Sequence, residues 1–241
     1  MIGCSCYVCT SLNEKDKRFR SSILVQSART SLVVDTTPDF RSQMLRENVK
    51  KLDAILFTHP HKDHIAGLDD IKAYNFFQQK PMDVFANSLT QNELRREFPY
   101  IFAAEKYPGI PSVNLHDITD QPFIVGDIPV IPILVYHLKM PVLAFRFGNF
   151  TYITDANRID DAEKEKIKGS EVIVINALRK KEHISHFNLS EAVNLVEELQ
   201  IPKAYFTHIS HQLGLHDEIN AELPNNMKLA WDRLAINLPG S

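Results

Sequence analysis

A chain of 241 residues is long enough to bury a full core, and one domain over residues 1–241 is the simplest prediction. Its formal net charge of −3 offers a long polyanion no attractive surface, so nucleic acid is disfavoured as a partner. No apolar run approaches the roughly 20 residues of a membrane-spanning helix, and no signal peptide is recognised. These features predict a cytoplasmic protein that does not enter a membrane.

The first nine residues contain the spacing Cys-x-Cys-x-x-Cys, formed by Cys4, Cys6 and Cys9. An odd number of thiols cannot pair completely into disulfides within one chain, which fits a reducing compartment. The tight spacing predicts a metal knuckle that supplies three of the four ligands of a structural zinc. A set of free thiols is the alternative.

The next stretch alternates β-rich and helical patterns. Two β-rich runs around a polar turn predict a hairpin over residues 21–34, and residues 40–48 are predicted to be helical. A buried strand is predicted over residues 52–58, and a helix from about Gly67. The side chains expected on the core side of that helix are Leu68, Ile71 and Phe76.

The buried strand leads directly into Thr58-His59-Pro60-His61-Lys62-Asp63-His64. His59 and His61 are two residues apart, so in extended backbone their side chains point the same way. Asp63 and His64 follow at a turn and can reach a second point. Imidazole and carboxylate donors suit zinc, iron or manganese, and two such sets side by side suit a two-metal hydrolytic centre.

Residues 87–112 differ in character, because aromatic residues are mixed with charges, proline and glycine. That composition predicts a lid-like lobe folded over a site. A plain surface excursion is the alternative.

Three later strands also end on residues that can bind a metal. Predicted strands run into His137, Asp155 and His208, just as residues 54–58 run into His59. If these strands share an orientation, their carboxyl ends place the donors on one rim, where α/β proteins usually bind substrates.

A further strand is predicted over residues 172–175, followed by the basic run 179–181. Asn188 can cap the next helix, with Glu191 as its capping-box partner. The residues predicted on the inward face of this helix are Leu189, Val193, Val196 and Leu199.

The stretch from Thr58 to His64 resembles the His-x-His-x-Asp-His signature of the metallo-β-lactamase superfamily of hydrolases. Over nearly its whole length the chain is most similar to the PhnP-type phosphodiesterases, which act on a five-membered cyclic phosphate of ribose. The residues that carry this narrower resemblance are Cys4, Cys6, Cys9, Asp155, His186 to Leu189 and Thr207 to His211. The resemblance implies an α/β fold, a four-layer αββα sandwich. Family members usually carry a strand and a glycine- and threonine-rich turn before the cysteines, whereas this sequence begins almost at Cys4. Either the protein lacks that first strand, or the start is misassigned or trimmed.

The resemblance also implies two divalent metals, zinc or manganese, in the active site and one structural zinc. The ligands of one active-site metal would be His59, His61 and His137. Those of the other would be Asp63, His64 and His208, with Asp155 bridging both. The structural zinc would be held by Cys4, Cys6, Cys9 and His211, which ties the N-terminal cysteines to the loop bearing His208.

The expected reaction is the opening of a cyclic phosphate of a ribose phosphate, or of a similar small phosphodiester, by water activated between two metals. Asp63 would orient that water, and His186 would act as the general acid for the leaving alkoxide. The alternative for His186 is a histidine that merely caps or packs, with His183 as the substitute acid. Arg179 to Lys181 either contact a second phosphate or form a solvated face.

Two other functions share parts of this pattern. A tRNA-processing nuclease of the superfamily would have the same ligands but should carry an extended basic arm, which the sequence does not show. A PqqB-like protein of a cofactor pathway would have the cysteine knuckle without a catalytic centre, whereas the ligand set here is complete. The expected partner is a small phosphorylated substrate, and a homodimer is a candidate assembly.

Overall fold

The computed structural model of the chain describes residues 1–105 and 107–238. Two compact units can be distinguished by their internal contacts. The unit of residues 20–129 contains the histidine motif and is called the motif unit. The unit of residues 1–19 and 130–238 contains the cysteines and is called the knuckle unit. Within the described chain, no helix is long and apolar enough to cross a membrane.

The motif unit is built on a sheet with the strand order β1-β2-β3-β4-β5. The predicted hairpin is confirmed, because β1 and β2 pair antiparallel. Strands β2 to β5 run parallel, so their carboxyl ends lie at one edge. The strands of this unit are β1 (Ile23–Gln26), β2 (Ser31–Val34), β3 (Ala54–Leu56), β4 (Met82–Ala86), β5 (Val113–Asp117) and the short β6 (Phe123–Val125).

Helices of the motif unit bury one face against a core that includes Phe40, Ile55 and Leu68. They are α1 (Phe40–Arg46), α2 (Lys62–Ile65), α3 (Lys72–Gln78), α4 (Ser88–Glu97) and α5 (Pro99–Phe102), with a 3₁₀ turn over Leu68–Ile71. The helix predicted at 40–48 is therefore confirmed, with its end at Arg46.

The prediction that Phe76 faces the core is wrong. Its side chain is 69% exposed and stacks edge-on against Phe77, whereas Tyr74 is buried. The reason is the 3₁₀ turn that precedes α3. With three residues per turn instead of 3.6, it rotates every later position relative to a continuous α-helix.

Residues 87–112 contribute to the core as well as to the surface. Leu94, Phe98 and Ile101 are buried in the core of the motif unit. Tyr100 donates its hydroxyl hydrogen to Asp69 at 2.9 Å, and Tyr107 is 74% exposed. The first half of the segment is thus anchored to its own unit, and a lid role for the remainder stays a prediction.

The knuckle unit has a sheet whose strands lie in the order β12-β11-β10-β9-β8-β7. Strands β9 to β12 are parallel, and β8 is antiparallel to both β7 and β9. Strands β7, β9 and β11 therefore point the same way, which is the shared orientation that the sequence suggested. The strands are β7 (Ile128–His137, which begins in the motif unit), β8 (Met140–Phe147), β9 (Phe150–Ile153), β10 (Val172–Asn176), β11 (Lys203–Thr207) and β12 (Met227–Leu229).

Three helices pack in this unit: α6 (Asp161–Ile167), α7 (Leu189–Glu198) and α8 (His216–Glu222). The predicted capping box of α7 is confirmed. Asn188 accepts a hydrogen bond from the Glu191 amide at 2.9 Å, and Glu191 accepts one from the Asn188 amide at 2.8 Å. This cap fixes the direction in which the chain enters α7 from the loop carrying His186.

Gly67, two residues past α2, gives a test of how tightly the segment after the histidine motif is packed. A Cβ there would lie 2.3 Å from the Thr37 carbonyl oxygen and 2.7 Å from the Phe40 Cβ. We expect Gly67→Ala to lower the free energy of unfolding by about 3 kcal/mol, because backbone must move to relieve the overlap. Chemical denaturation measures this loss.

The control is Gly109→Ala, where φ is +95° and no atom lies within 4 Å of the added Cβ. Backbone strain alone should cost about 1–2 kcal/mol there. Equal losses for the two variants would show that close packing does not constrain Gly67.

Candidate metal centre

A carboxylate that the sequence analysis did not assign lies behind the histidine motif. Asp35 directly follows β2 and is fully buried. It accepts hydrogen bonds from the Thr58 amide and hydroxyl, both at 2.8 Å, and from His64 Nδ1 at 2.7 Å. Burial raises the pKa of Asp35, while the neighbouring His64 and Thr58 act in the opposite direction. The carboxylate therefore fixes the His64 ring and directs its Nε2 toward Asp63, whose Oδ2 lies 3.5 Å away.

The histidines of the motif unit are packed together. The ring centroid of His59 lies 4.7 Å from that of His61 and 4.2 Å from that of His64. Thr58 Oγ1 lies 2.9 Å from His59 Nδ1, which fixes the orientation of that ring. His59 and His64 are buried and His61 is exposed. Three imidazoles and a nearby carboxylate are a donor set that suits a divalent transition metal.

The knuckle unit gathers a second set of donors at the carboxyl edge of its sheet. The ligand atoms of His137, Asp155 and His186 all lie within 4.8 Å of one another. His137 Nδ1 lies 2.9 Å from the Ser185 carbonyl oxygen, and His208 Nε2 lies 3.1 Å from Asp155 Oδ1. A carbonyl that accepts from Nδ1 leaves Nε2 of His137 as the atom that could bind a metal. Each unit thus carries one set of donors, and their combination into a dinuclear centre stays a prediction.

His186 occupies the middle of this second set. Its ring centroid lies 4.5 Å from that of His137, 4.9 Å from that of His208 and 5.0 Å from that of His183. Burial, reinforced by His208, lowers the pKa of His186 to about 3. His186 is consequently a neutral imidazole at neutral pH, able to donate a hydrogen bond or bind a metal.

Left-handed backbone recurs where strands end. Asp35 and His208 directly follow β2 and β11, Asp155 lies two residues past β9, and their φ values are +67°, +51° and +54°. This region is sparsely populated by residues other than glycine, and Asp and His are among those that enter it. Strain of this kind persists where surrounding contacts determine the conformation, and it clusters at functional sites.

The four residues predicted to bind a structural zinc lie together within the knuckle unit. The ligand atoms of Cys4, Cys6, Cys9 and His211 are within 4.8 Å of one another. His211 Nδ1 lies 3.4 Å from both Cys4 Sγ and Cys6 Sγ. The hydrogen bond to His211 lowers the pKa of the Cys6 thiol to about 6, which favours the thiolate that a metal requires. Three thiols and one imidazole fit tetrahedral zinc.

The basic run after β10 is largely engaged within the knuckle unit. Arg179 donates to the Glu182 carbonyl at 2.8 Å and to Gln212 Oε1 at 2.9 Å, and Lys180 pairs with Glu222 at 2.6 Å. Arg179 therefore organises the loop that carries His183 and His186, and these contacts favour a role within the protein over a phosphate contact for Arg179.

Comparison with known proteins places these observations in a family. Residues 30–209 match the model of the beta-lactamase superfamily domain. A solved structure described as a new diphosphatase from the PhnP family is 39% identical, covers 97% of this chain and 89% of that chain, and has a TM-score of 0.91. The predicted fold class is thereby confirmed.

More distant structures share the fold alone. Zn²⁺-bound PqqB from Methylobacterium extorquens is 16% identical with a TM-score of 0.77, and covers 98% of this chain and 95% of that chain. The short form of human tRNase Z is 16% identical with a TM-score of 0.68, and covers 91% of this chain and 93% of that chain.

An octanoyltransferase of Porphyromonas gingivalis is 34% identical over 236 residues, which are 97% of this chain and 48% of that protein. The chain thus spans about half the length of this curated relative, and the name alone does not assign octanoyl transfer to the matching half.

Asp35→Asn tests whether the buried carboxylate orients the histidine motif. An amide of the same shape cannot replace the charge that accepts from both His64 and Thr58. We expect the affinity of the motif for Zn²⁺ or Mn²⁺ to fall about 10- to 100-fold, as for other groups that orient ligands. Competition with a chelating dye measures the affinity. The matched control is Asp39→Asn, which removes a partly exposed ion pair with Arg20 and should leave metal affinity unchanged.

His211→Ala tests the knuckle separately from the active-site metals. The parent protein should contain close to three metals per chain, and the variant should lose the one held by the thiols. Its melting temperature should fall because metal binding is coupled to folding. Elemental analysis and thermal unfolding give both values, with His208→Ala as the comparison that should lose an active-site metal instead. A His211→Ala protein that keeps its zinc and melts like the parent would contradict the structural role.

Proposed function

Since the chain belongs to the metallo-β-lactamase superfamily of metal-dependent hydrolases, we propose that it opens the cyclic phosphate of a ribose phosphate or a similar small phosphodiester. The observation that carries this proposal is the placement of histidine and aspartate donors at the carboxyl edges of both sheets. The 39% identity to a PhnP-family structure, described as a diphosphatase, supports a phosphorylated substrate. The expected substrate is small and phosphorylated.

The donor sets fit two divalent metals, zinc or manganese, as judged from their imidazole and carboxylate chemistry. The residues proposed to hold them are His59, His61, Asp63, His64, His137, Asp155 and His208. Bound there, two such metals would supply an activated water and neutralise charge on the phosphoryl oxygens. The residues Cys4, Cys6, Cys9 and His211 are proposed to hold a separate zinc without a part in the reaction.

Asp63 and His186 are the residues proposed to act on the reacting atoms. Asp63 is half-buried at the start of α2 and can accept a hydrogen bond from the attacking water. His186 can donate its N–H to the oxygen that leaves. Among the described residues its Nδ1 has no hydrogen-bond partner and lies 3.6 Å from Asp155 Oδ1. A ring so placed is available to a substrate in a way that a capping histidine is not.

A second candidate substrate is a diphosphate. Two observations favour it. The PhnP-family relative is described as a diphosphatase, and the low pKa of His186 makes it a weak proton donor at neutral pH. A phosphate leaving group departs with little need of a proton, whereas a sugar alkoxide needs one. If His186 stays neutral with substrate bound, the diphosphate is the better substrate of the two.

The experiment is a substrate panel assayed with metal-loaded protein. It contains a ribose cyclic phosphate, a linear nucleoside diphosphate, bis-nitrophenyl phosphate, a phosphate monoester and a precursor tRNA. We expect turnover of the cyclic phosphate or the diphosphate and little of the monoester. Cleavage of the tRNA alone would favour a nuclease. Loss of all turnover despite full metal loading would favour a non-catalytic protein of the PqqB kind.

His186→Ala in the same panel tests the proton donor. It should lower kcat for the cyclic phosphate about 100-fold, a typical contribution of acid catalysis, and spare the nitrophenyl ester, whose leaving group needs no proton. His183→Ala is the matched control. The His183 ring lies beside His186, but His183 has no role in the reaction when His186 is the general acid. Equal losses on both esters would identify His186 as a metal ligand instead.

A further inference from the structure

A buried amide side chain links two loops that carry candidate site residues. Asn176 is the last residue of β10 and is fully buried. Its Oδ1 accepts a hydrogen bond from the Ala156 amide at 2.8 Å, and its Nδ2 donates to the Ala156 carbonyl at 2.9 Å. The oxygen and the nitrogen of the Asn176 side chain thus both bond to the backbone of Ala156, the residue directly after Asp155.

The Ala156 carbonyl also accepts a hydrogen bond from the Phe187 amide at 2.7 Å. Phe187 directly follows His186. The Ala156 carbonyl oxygen therefore joins the loop after Asp155 to the loop after His186. The same oxygen also accepts the hydrogen bond from Asn176 Nδ2, which holds it in place. Because the peptide on each side of a residue limits where its side chain can point, this junction sets the separation of Asp155 and His186.

The residues just after Asn176 extend the same arrangement. The Ala177 amide donates to the Thr207 carbonyl at 2.9 Å, and the Leu178 carbonyl accepts from the Ser210 amide at 2.9 Å. These bonds bracket His208. The end of β10 thus contacts the three loops that bear Asp155, His186 and His208, and Asn176 is the member of the segment that acts through its side chain.

The backbone of Asp155 explains why such a clamp is needed. Its φ of +54° is a left-handed conformation that the residue would rarely adopt without surrounding constraints. The two hydrogen bonds between Asn176 and Ala156, one accepted and one donated by Asn176, hold the peptide groups on both sides of Ala156. A polar group buried this completely is stable only when fully hydrogen-bonded, so the amide and Ala156 determine each other's position.

We infer that Asn176 is a positioning residue for the metal centre: its side-chain amide holds Asp155 and His186 in register through Ala156. The inference rests on the proposed function only in taking Asp155 as a metal ligand. It assigns a role to a residue that touches neither metal nor substrate.

The test compares the parent with Asn176→Leu and Asn176→Asp in the full chain. Binding of Mn²⁺ is followed by electron paramagnetic resonance, because manganese prefers carboxylate and imidazole to the thiolates of the knuckle. We expect Asn176→Leu to lower Mn²⁺ affinity about 10- to 100-fold, and kcat for the best substrate of the panel by a similar factor with little change in KM. Asn176→Asp keeps an oxygen that accepts from the Ala156 amide, and its protonated carboxyl can also donate to the Ala156 carbonyl, so its losses should be smaller.

The matched control is Asn220→Leu, which removes another side-chain amide that accepts from a backbone amide, that of Leu229 at 2.8 Å. It should lower the melting temperature and leave Mn²⁺ affinity and kcat within about twofold of the parent, because Asn220 lies on α8 and bonds to β12. The inference fails if the Asn176 variants behave like this control, with reduced stability and unchanged metal affinity. Asn176→Asp decides the question where Asn176→Leu does not fold.

The metal measurement also separates this inference from the proposed function. A parent protein that binds Mn²⁺ tightly and hydrolyses no phosphate of the panel would overturn the function. The affinities of the Asn176 variants would still decide the role of the amide.

Discussion

The buried carboxylate of Asp35 is the constraint on which the motif unit depends. An ionised carboxylate without partners is very costly to bury, so three donors must reach it. Two come from Thr58, directly before the first histidine, and one comes from His64, the last residue of the motif. The stretch 58–64 is therefore fastened at both ends to a single side chain. Its geometry follows from satisfying Asp35 before any metal is considered.

A second constraint is common to both units, although each is built separately. Parallel strands deliver the chain to one edge of a sheet, and a residue with left-handed backbone then turns it away. Asp35 has this conformation in the motif unit, and Asp155 and His208 have it in the knuckle unit. A sharp turn leaves the side chain, rather than continuing backbone, at the strand end. That is the arrangement a cluster of donors requires, and it carries a cost in backbone strain that the neighbouring hydrogen bonds must offset.

Sequence reasoning predicted these strand ends well, because an apolar run followed at once by a donor is a local pattern. It predicted the hairpin, the strands before His137, Asp155 and His208, and the capping box of α7. It missed Asp35 although Val34-Asp35 has the same form, since the following threonines and proline read as a turn. It could not identify Asn176, because an amide is not a metal ligand and its partner is set by tertiary contacts. It placed Phe76 in the core because a 3₁₀ turn shifts the helical face without leaving a trace in the apolar pattern.

Two nearly identical sequence phrases show the limit of local patterns. Residues 55–59 and 204–208 both run from apolar residues through Phe and Thr to His. His208 nevertheless adopts a left-handed conformation, whereas His59 is not among the described residues that do. In the first phrase the threonine is held by Asp35, and in the second the Thr207 carbonyl accepts from Ala177. The same residues are therefore turned in different directions by their partners, which is a property of the fold rather than of the phrase.

Loss of a metal from the four knuckle residues would have a local effect, because residues 13–18, which follow the cysteines, are held by other contacts. The His216 amide donates to Asp16 at 2.7 Å, Arg18 donates to the Ala230 carbonyl at 3.0 Å, and Asn13 donates to Asp217 at 3.0 Å. Residues 13–18 would therefore stay attached if the thiols lost their metal. Such a loss would free His211 from the thiols, whereas the Ser210 amide would keep its bond to the Leu178 carbonyl and His208 Nε2 would still lie 3.1 Å from Asp155 Oδ1. A metal at the knuckle would consequently restrain His208, a proposed metal ligand, across three residues of chain. Its contribution lies in fixing where His208 points more than in holding the N-terminal residues in place.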